Sequence, residues 1–139
     1  MIYLLDTNVI SELRKFPDGG VDAEVAKWSL SVPASSFHVS AVTIFELTVG
    51  VLKAERTDRA KGKRLRLWLN ESVLPTFADH VLAVDVSVAR RCAELHVPQS
   101  RSYSDALIAA TALVHGMTVV TRNVKDFEPM GVPVLNPWG

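Results

Sequence analysis

A single cysteine, Cys92, stands among 139 residues, which excludes an internal disulfide and any zinc site built on several thiolates. Its neighbours Val88, Ala89 and Leu95 read as a helix face, so Cys92 is expected as a core thiol and not as a nucleophile. An excess of charge is also lacking. Lys plus Arg and Asp plus Glu stand at 15 each, so no global field draws the chain to nucleic acid and any such attraction must be local. Aromatic residues make up only 7%, too few to assign a base-stacking platform. His38, His80, His96 and His115 show no ligand-pair spacing on one helix, and satisfied or exposed rings are expected for all four. The longest apolar run, Ala106 to Val114 with Thr111 inside, is too short to cross a bilayer. Asp6 breaks the first apolar run too early for a secretory signal. A soluble, cytoplasmic protein with no membrane partner is expected.

What is present fits one globular domain over residues 1–139, with 48% hydrophobic and 22% charged residues. The chain opens on Met1-Ile2-Tyr3-Leu4-Leu5, an apolar run that reads as a strand buried on both faces. Asp6, Thr7 and Asn8 are helix-starting types, and Val9, Ile10 and Leu13 recur at helical spacing. Further along, helices are expected over 21–30, 41–53, 58–72, 86–95 and 104–115, with Gly116 as a C-terminal cap. Strands are expected over 37–40, 81–85, 117–121 and 132–135, with a turn of helix at 124–127. In the helix of 41–53 the apolar stripe is Val42, Phe45, Val49 and Leu52, widened by Ile44, Leu47 and Val51; Leu30 is placed with Val25 and Trp28 toward the core. Strands alternating with helices predict an α/β fold with a central parallel sheet flanked by helices.

Four acids stand just past a strand or near a helix start. Asp6 ends the first strand; by itself it could merely cap the helix, worth about 1 kcal/mol. Glu46 lies in a helix apolar nearly all round, where a carboxylate is costly unless an Arg or a cation answers it. Asp105 opens the most apolar helix, and Ser102-x-x-Asp105 has the form of a capping box. Asp126 follows the strand ending at Thr121. In a parallel sheet such positions converge on one rim. Facing carboxylates repel by about 4 kcal/mol per pair at 4 Å under a surface-like dielectric, and a hard divalent cation, Mg²⁺ or Mn²⁺, would remove that cost.

Four segments in this order, Leu5-Asp6-Thr7-Asn8-Val9-Ile10-Ser11-Glu12, Ser40 to Leu47, Asp105 to Ala112 and Thr121 to Phe127, together with Val134-Leu135-Asn136-Pro137-Trp138, resemble a PIN-domain ribonuclease of the VapC type. That family supplies the toxin half of a toxin–antitoxin pair, and the resemblance covers essentially the whole chain. It implies a PIN-like three-layer fold and a Mg²⁺-dependent endoribonuclease whose products carry a 5′-phosphate. It maps the family's metal-binding acids onto Asp6, Glu46 and Asp105, and its hydroxyl near the metal onto Thr7. The family's fourth acid falls on Asn123, which brings a carbonyl oxygen but no charge; Asp126, three residues on, is the alternative ligand. The implied partners are an RNA substrate, a cognate antitoxin carrying an Arg for the acidic cleft, operator DNA only through that antitoxin, and a second copy of the chain in a homodimer or larger hetero-oligomer.

Lys53 to Arg66 holds seven of the 15 basic residues, and Arg59, Lys61, Lys63 and Arg64 are the candidate RNA contacts. The same stretch carries Glu55 and Asp58, so a solvated helix face is the competing reading. A competing function is a catalytically weak PIN-like module acting with its antitoxin in promoter-bound transcription control.

Overall fold

In the computed structural model, which describes residues 1–139, five short parallel strands form one sheet in the order β3-β2-β1-β4-β5. They are β1 (Tyr3–Leu5), β2 (Phe37–Ser40), β3 (Val81–Leu82), β4 (Thr118–Val120) and β5 (Val134–Leu135). The first strand is thus the central one: Leu4 lies beside His38 of β2 on one side and Val119 of β4 on the other. Successive residues point to opposite faces of a strand, and both faces here are covered. Leu4 and Val119 face a core shared with α6 (Val86–Leu95), α7 (Tyr103–His115) and α8 (Val124–Phe127), through Val88, Cys92, Ile108 and Phe127. Leu5, Val39 and Val120 face the other core, shared with α1 (Thr7–Leu13), α3 (Ala41–Thr57) and the segment after α4 (Arg59–Trp68). This is the parallel sheet the alternation predicts, in the three-layer arrangement the resemblance implies. Cys92 is buried in the first core, and burial pushes its thiol up.

The elements differ from expectation where two neighbours compete for the same residues. The helix expected over 21–30 is α2 (Ala23–Ser31), because Asp22 accepts from the Glu24 and Val25 amides and caps it; Leu30, placed in the core, is 75% exposed. The third strand stops at Leu82: Asp85 turns instead to the Val88 amide and starts α6. The proline at 75 does not end its helix. A π turn over Leu69–Val73 re-phases the chain, and Pro75 falls in the first turn of α5 (Leu74–Thr76), where its missing N–H costs nothing. In α3 the packed face is Thr43, Leu47 and Val51, while Phe45 is 68% and Leu52 49% exposed. The stripe is rotated from the predicted one, since a helix apolar on most sides is oriented by its neighbours.

The principal neighbour is α4, which folds back on α3 across Asp58, the end of one helix and the cap of the next. The two helices touch at Gly62, where an added Cβ would stand 2.6 Å from the Glu55 Cα. One turn on, Arg66 grips Glu55 through both carboxylate oxygens, at 2.5 and 2.8 Å. No helix is long and apolar enough to cross a membrane. His38 and His80 stack with ring centroids 4.3 Å apart, each with Nδ1 on a backbone carbonyl, and His115 is exposed. His96 differs from expectation: its Nδ1 accepts from the Arg101 amide, but its buried Nε2 has no partner.

Candidate active site

The carboxyl ends of β2, β1 and β4 form one rim, and the chain leaves it on both sides of the sheet, which is where open parallel sheets bind ligands. Asp6 stands at its centre. The strand sets its backbone, with the Asp6 amide on the Val120 carbonyl at 2.9 Å. The side chain is only 5% exposed and is held from three directions. The Thr7 amide donates to Oδ1 at 2.8 Å, the Thr121 hydroxyl to Oδ2 at 2.8 Å, and Asn8 Nδ2 to Oδ2 at 3.4 Å. Burial pushes the Asp6 carboxyl up, the Thr121 and Thr7 bonds pull it down, and the charges of Glu46 and Asp126 push it up again, leaving it above the usual carboxylate range. Capping α1 is therefore only part of its role.

Glu46, on α3, accepts from the Thr7 hydroxyl at 2.7 Å, and that hydroxyl also lies 3.2 Å from Thr43 Oγ1. The ion pairs of the chain are Lys15–Glu12, Arg66–Glu55 and Arg91–Glu94. Glu46 is in none of them, so the Arg partner considered from sequence is absent. Asp105 sits in the first turn of α7, but the capping box does not form: Ser102 Oγ lies 3.5 Å from Ser104 Oγ and makes no cap bond. Its carboxyl is pushed up to about 6, first by burial and then by the charges of Asp6, Asp126 and Glu46, with no hydrogen bond to offset them.

The structure therefore brings Asp6, Thr7, Glu46 and Asp105 together and adds Asp126, whose charge acts on both Asp6 and Asp105. Asn123 is exposed, and its contact with the cluster is through the backbone, the amide donating to Thr121 Oγ1 at 3.0 Å. Two groups went unmarked in the sequence. Thr121, fully buried, ties Asp6, Asn8 Nδ2 (3.3 Å) and Asn123 N into one network. Asn8 adds a bond from the Arg122 amide to its Oδ1 at 3.4 Å. The signal for Thr121 was its place as the last residue of a strand beside Asp6's own. Replacing it by Val should cost about 1–3 kcal/mol, because it strips partners from buried polar groups. Urea unfolding reads the effect, and Thr121→Ser should restore the stability; a valine variant with an unchanged midpoint would show the hydroxyl to be idle.

The basic strip divides. Lys61 joins Arg14, Lys53 and Arg56 along a groove of about 840 Å³ between α1, α3 and α4 that runs to Thr7 and Glu46, over an apolar floor of Leu47, Val51, Leu65 and Trp68. Arg14 lies over the Trp68 ring at 5.9 Å. Arg59 and Lys63 line a separate hollow beside Glu55, Arg66 and Leu67, which none of the acids of the cluster reaches. Arg64 is exposed and borders neither.

The chain has known relatives. The PIN domain family matches residues 3–131. The VapC ribonuclease Y4jK of Sinorhizobium fredii is 36% identical over 143 residues, covering 97% of this chain and 96% of that protein. Among solved structures, FitAcB from Neisseria gonorrhoeae has a TM-score of 0.87 at 35% identity over 99% of each chain. FitAB bound to an IR36 DNA fragment has a TM-score of 0.87 at 34% identity, over 99% of this chain and 96% of that one.

Proposed function

The chain belongs to the PIN-domain family, among proteins of the VapC type, and from that premise we propose that it is a metal-dependent endoribonuclease serving as the toxin of a toxin–antitoxin pair. The observation that carries this reading is the cluster of Asp6, Glu46, Asp105 and Asp126, whose charges act on one another with no Lys or Arg paired to any of them. Evolution of a merely structural network would have supplied a counter-charge or thinned the acids, since unanswered carboxylates destabilise the fold.

A hard divalent cation fits the donor set, which offers only carboxylate and hydroxyl oxygens. No three of the acids stand close enough to enclose an ion between them. Mg²⁺ keeps several of its waters and needs only one or two carboxylates, so two of these acids would suffice to hold it. When bound, such an ion supplies positive charge for the phosphate and a water of lowered pKa for attack on phosphorus. The chain's own residues do the orienting. Thr121 and the Thr7 amide fix the two oxygens of Asp6, and the Thr7 hydroxyl fixes one of Glu46. Asp105 and Asp126 would complete the oxygen-rich wall, with Asp126 taking the part that the resemblance gives to Asn123. Asp126→Ala is thus expected to weaken Mn²⁺ binding about tenfold or more, the loss of a charged ligand, while Asn123→Ala changes it little. Titration calorimetry decides, and the reverse order would return the fourth position to Asn123.

The antitoxin would enter by the groove of α1, α3 and α4. Its apolar floor, and the exposed Phe45 and Leu52 on α3, suit a short amphipathic segment that folds on binding. An Arg at its end could grip Glu46 or Asp6 with two hydrogen bonds and displace the cation. The nuclease reading is tested by incubating the purified chain with total RNA in MnCl₂ and in EDTA. Cleavage only with the metal supports it, and cleavage undiminished by EDTA overturns it. A second reading, promoter-bound control with the antitoxin and little nuclease activity, draws on the likeness to FitAB bound to DNA; it predicts operator binding by the complex and no RNA cleavage under either condition.

A further inference from the structure

The acids lie between two openings of different make-up. One is the broad groove with an apolar floor. The other, between the start of α7 and α8, is a cavity of about 190 Å³ lined chiefly by polar groups, among them Arg101, Ser102, Asp105, Lys125 and Asp126. Two cations and two carboxylates thus share one small space. They do not pair: the chain's ion pairs all lie elsewhere, and neither cation is among the charges acting on Asp105. Arg101 is half-buried and anchored, its Nε on the Leu95 carbonyl and its amide on His96 Nδ1, both at 3.1 Å. That anchoring uses one guanidinium nitrogen and leaves the two terminal ones, the pair that grips a phosphate side by side. Lys125 is exposed and has no partner.

Cations that served only to quiet the acids would have closed onto them. Cations held apart from acids in one cavity await a third party that is negative where they are positive and carries its own cation, or meets one, where the acids stand. A phosphodiester beside a metal-held phosphodiester has that character. The space suits such a group with its waters; a peptide helix, about 10 Å across, does not fit it. We propose that this cavity is a phosphate subsite in which Arg101 and Lys125 hold the RNA phosphodiester next to the one cut at the acids. The substrate strand then crosses the rim from the α3–α4 groove to the α7–α8 cavity. The groove can be shared by RNA and antitoxin; the cavity takes RNA alone. The proposal rests on the ribonuclease reading of the acids.

The test uses the full chain with a labelled single-stranded RNA oligonucleotide. Binding is measured in EDTA over a range of salt, and cleavage is measured separately in MnCl₂. Lys125→Ala and Arg101→Ala should each weaken binding about tenfold, the worth of one charge-assisted contact. Each should also reduce the salt slope by about 0.7, as expected for one lost phosphate on a single strand. KM should rise more than kcat falls, and Arg101→Lys should recover the salt slope but only part of the affinity, since lysine has neither the anchoring Nε nor the paired terminal nitrogens. Arg90→Ala, a cation removed from the exposed side of α6, should change none of these. Lys125 is exposed, so its variant keeps the test sound even if Arg101→Ala loosens the turn before α7. The proposal is overturned if Lys125→Ala binds RNA with wild-type affinity and slope, if Arg90→Ala does equal damage, or if the wild type binds no RNA. It is overturned as well if polyglutamate competes as strongly as RNA, which would make the cavity a seat for an acidic protein segment. Wild-type RNA binding with no cleavage in MnCl₂ would sink the nuclease reading instead and leave the cavity scored by binding alone.

Discussion

Asp105→Asn is expected to reduce RNA cleavage by about 1,000-fold or more, the several kcal/mol that metal-assisted charge stabilisation supplies, and yet to make the metal-free protein harder to unfold. The second effect follows from proton linkage. Folded, the Asp105 carboxyl titrates at about 6, against an ordinary value of 3.8. Between those values the folded chain keeps a proton that the unfolded chain has released, so stability falls as pH rises from about 4 to about 6 and stays lowered above it. Below pH 4 the variant and the wild type should melt alike. Above pH 6 the variant should gain. Because the site is partly open, solvent screening discounts the shift, and a relief of about 1 kcal/mol would raise Tm by about 2–4 °C in a chain of this size. Saturating Mn²⁺ should reverse the order, since an ion at 100 times its Kd stabilises the folded wild type by about 2.7 kcal/mol. Asp6 is raised in the same direction, so the variant keeps part of the slope. Melting curves at pH 4 and pH 7.5, with EDTA or MnCl₂, decide the matter: a variant less stable than wild type at pH 7.5 in EDTA would mean that the acids do not repel one another.

Phe127→Ala should have the largest effect on the fold itself. Phe127 is fully buried and packs in the core between the sheet and α7. Its removal should cost about 3–5 kcal/mol, a large share of the roughly 5–15 kcal/mol that holds a domain together. The loss has a functional edge, because α8 is a single turn and Phe127 is its only buried residue. Lys125 and Asp126 ride on that turn. Phe127→Leu should retain most of the stability. Urea unfolding should show a lowered midpoint for the alanine variant, and Mn²⁺ binding under folding conditions should weaken with it. An alanine variant with an unchanged midpoint would place the anchor of α8 elsewhere.

The architecture was legible in the chain because its signals were local. Leu4-Leu5 running into Asp6, and Val119-Val120 running into Thr121, announce buried strands that end in polar corners. Those corners meet at one rim once the strands are parallel. The face of α3 was not legible, since Phe45 and Leu47 are equally apolar and only α4 and the sheet choose between them. The place of Asp126 was obscured for a related reason. The resemblance points to Asn123, whereas the turn of α8, set by Phe127 in the core, brings the charge of Asp126 to bear on Asp6 and Asp105. Glu12 shows the opposite case, an acid near the site that is merely structural. The Asp22 amide and then Lys15 hold its carboxyl below the usual range, and the loop between α1 and α2 is tied down by it.

The central place of β1 has a consequence for the growing chain. Its pairing partner β4 follows about 113 residues later, and the bond from Thr121 to Asp6 closes a separation of 115 residues. Contacts that distant form late, after the entropy of closing a long loop has been overcome. A nascent chain that has passed Glu46 or even Asp105 carries the acids without the strand that buries Asp6 or the hydroxyl that aims it. Cutting ability therefore arrives in one step near the end of synthesis. The site is complete only when β4 and α8 have emerged and docked.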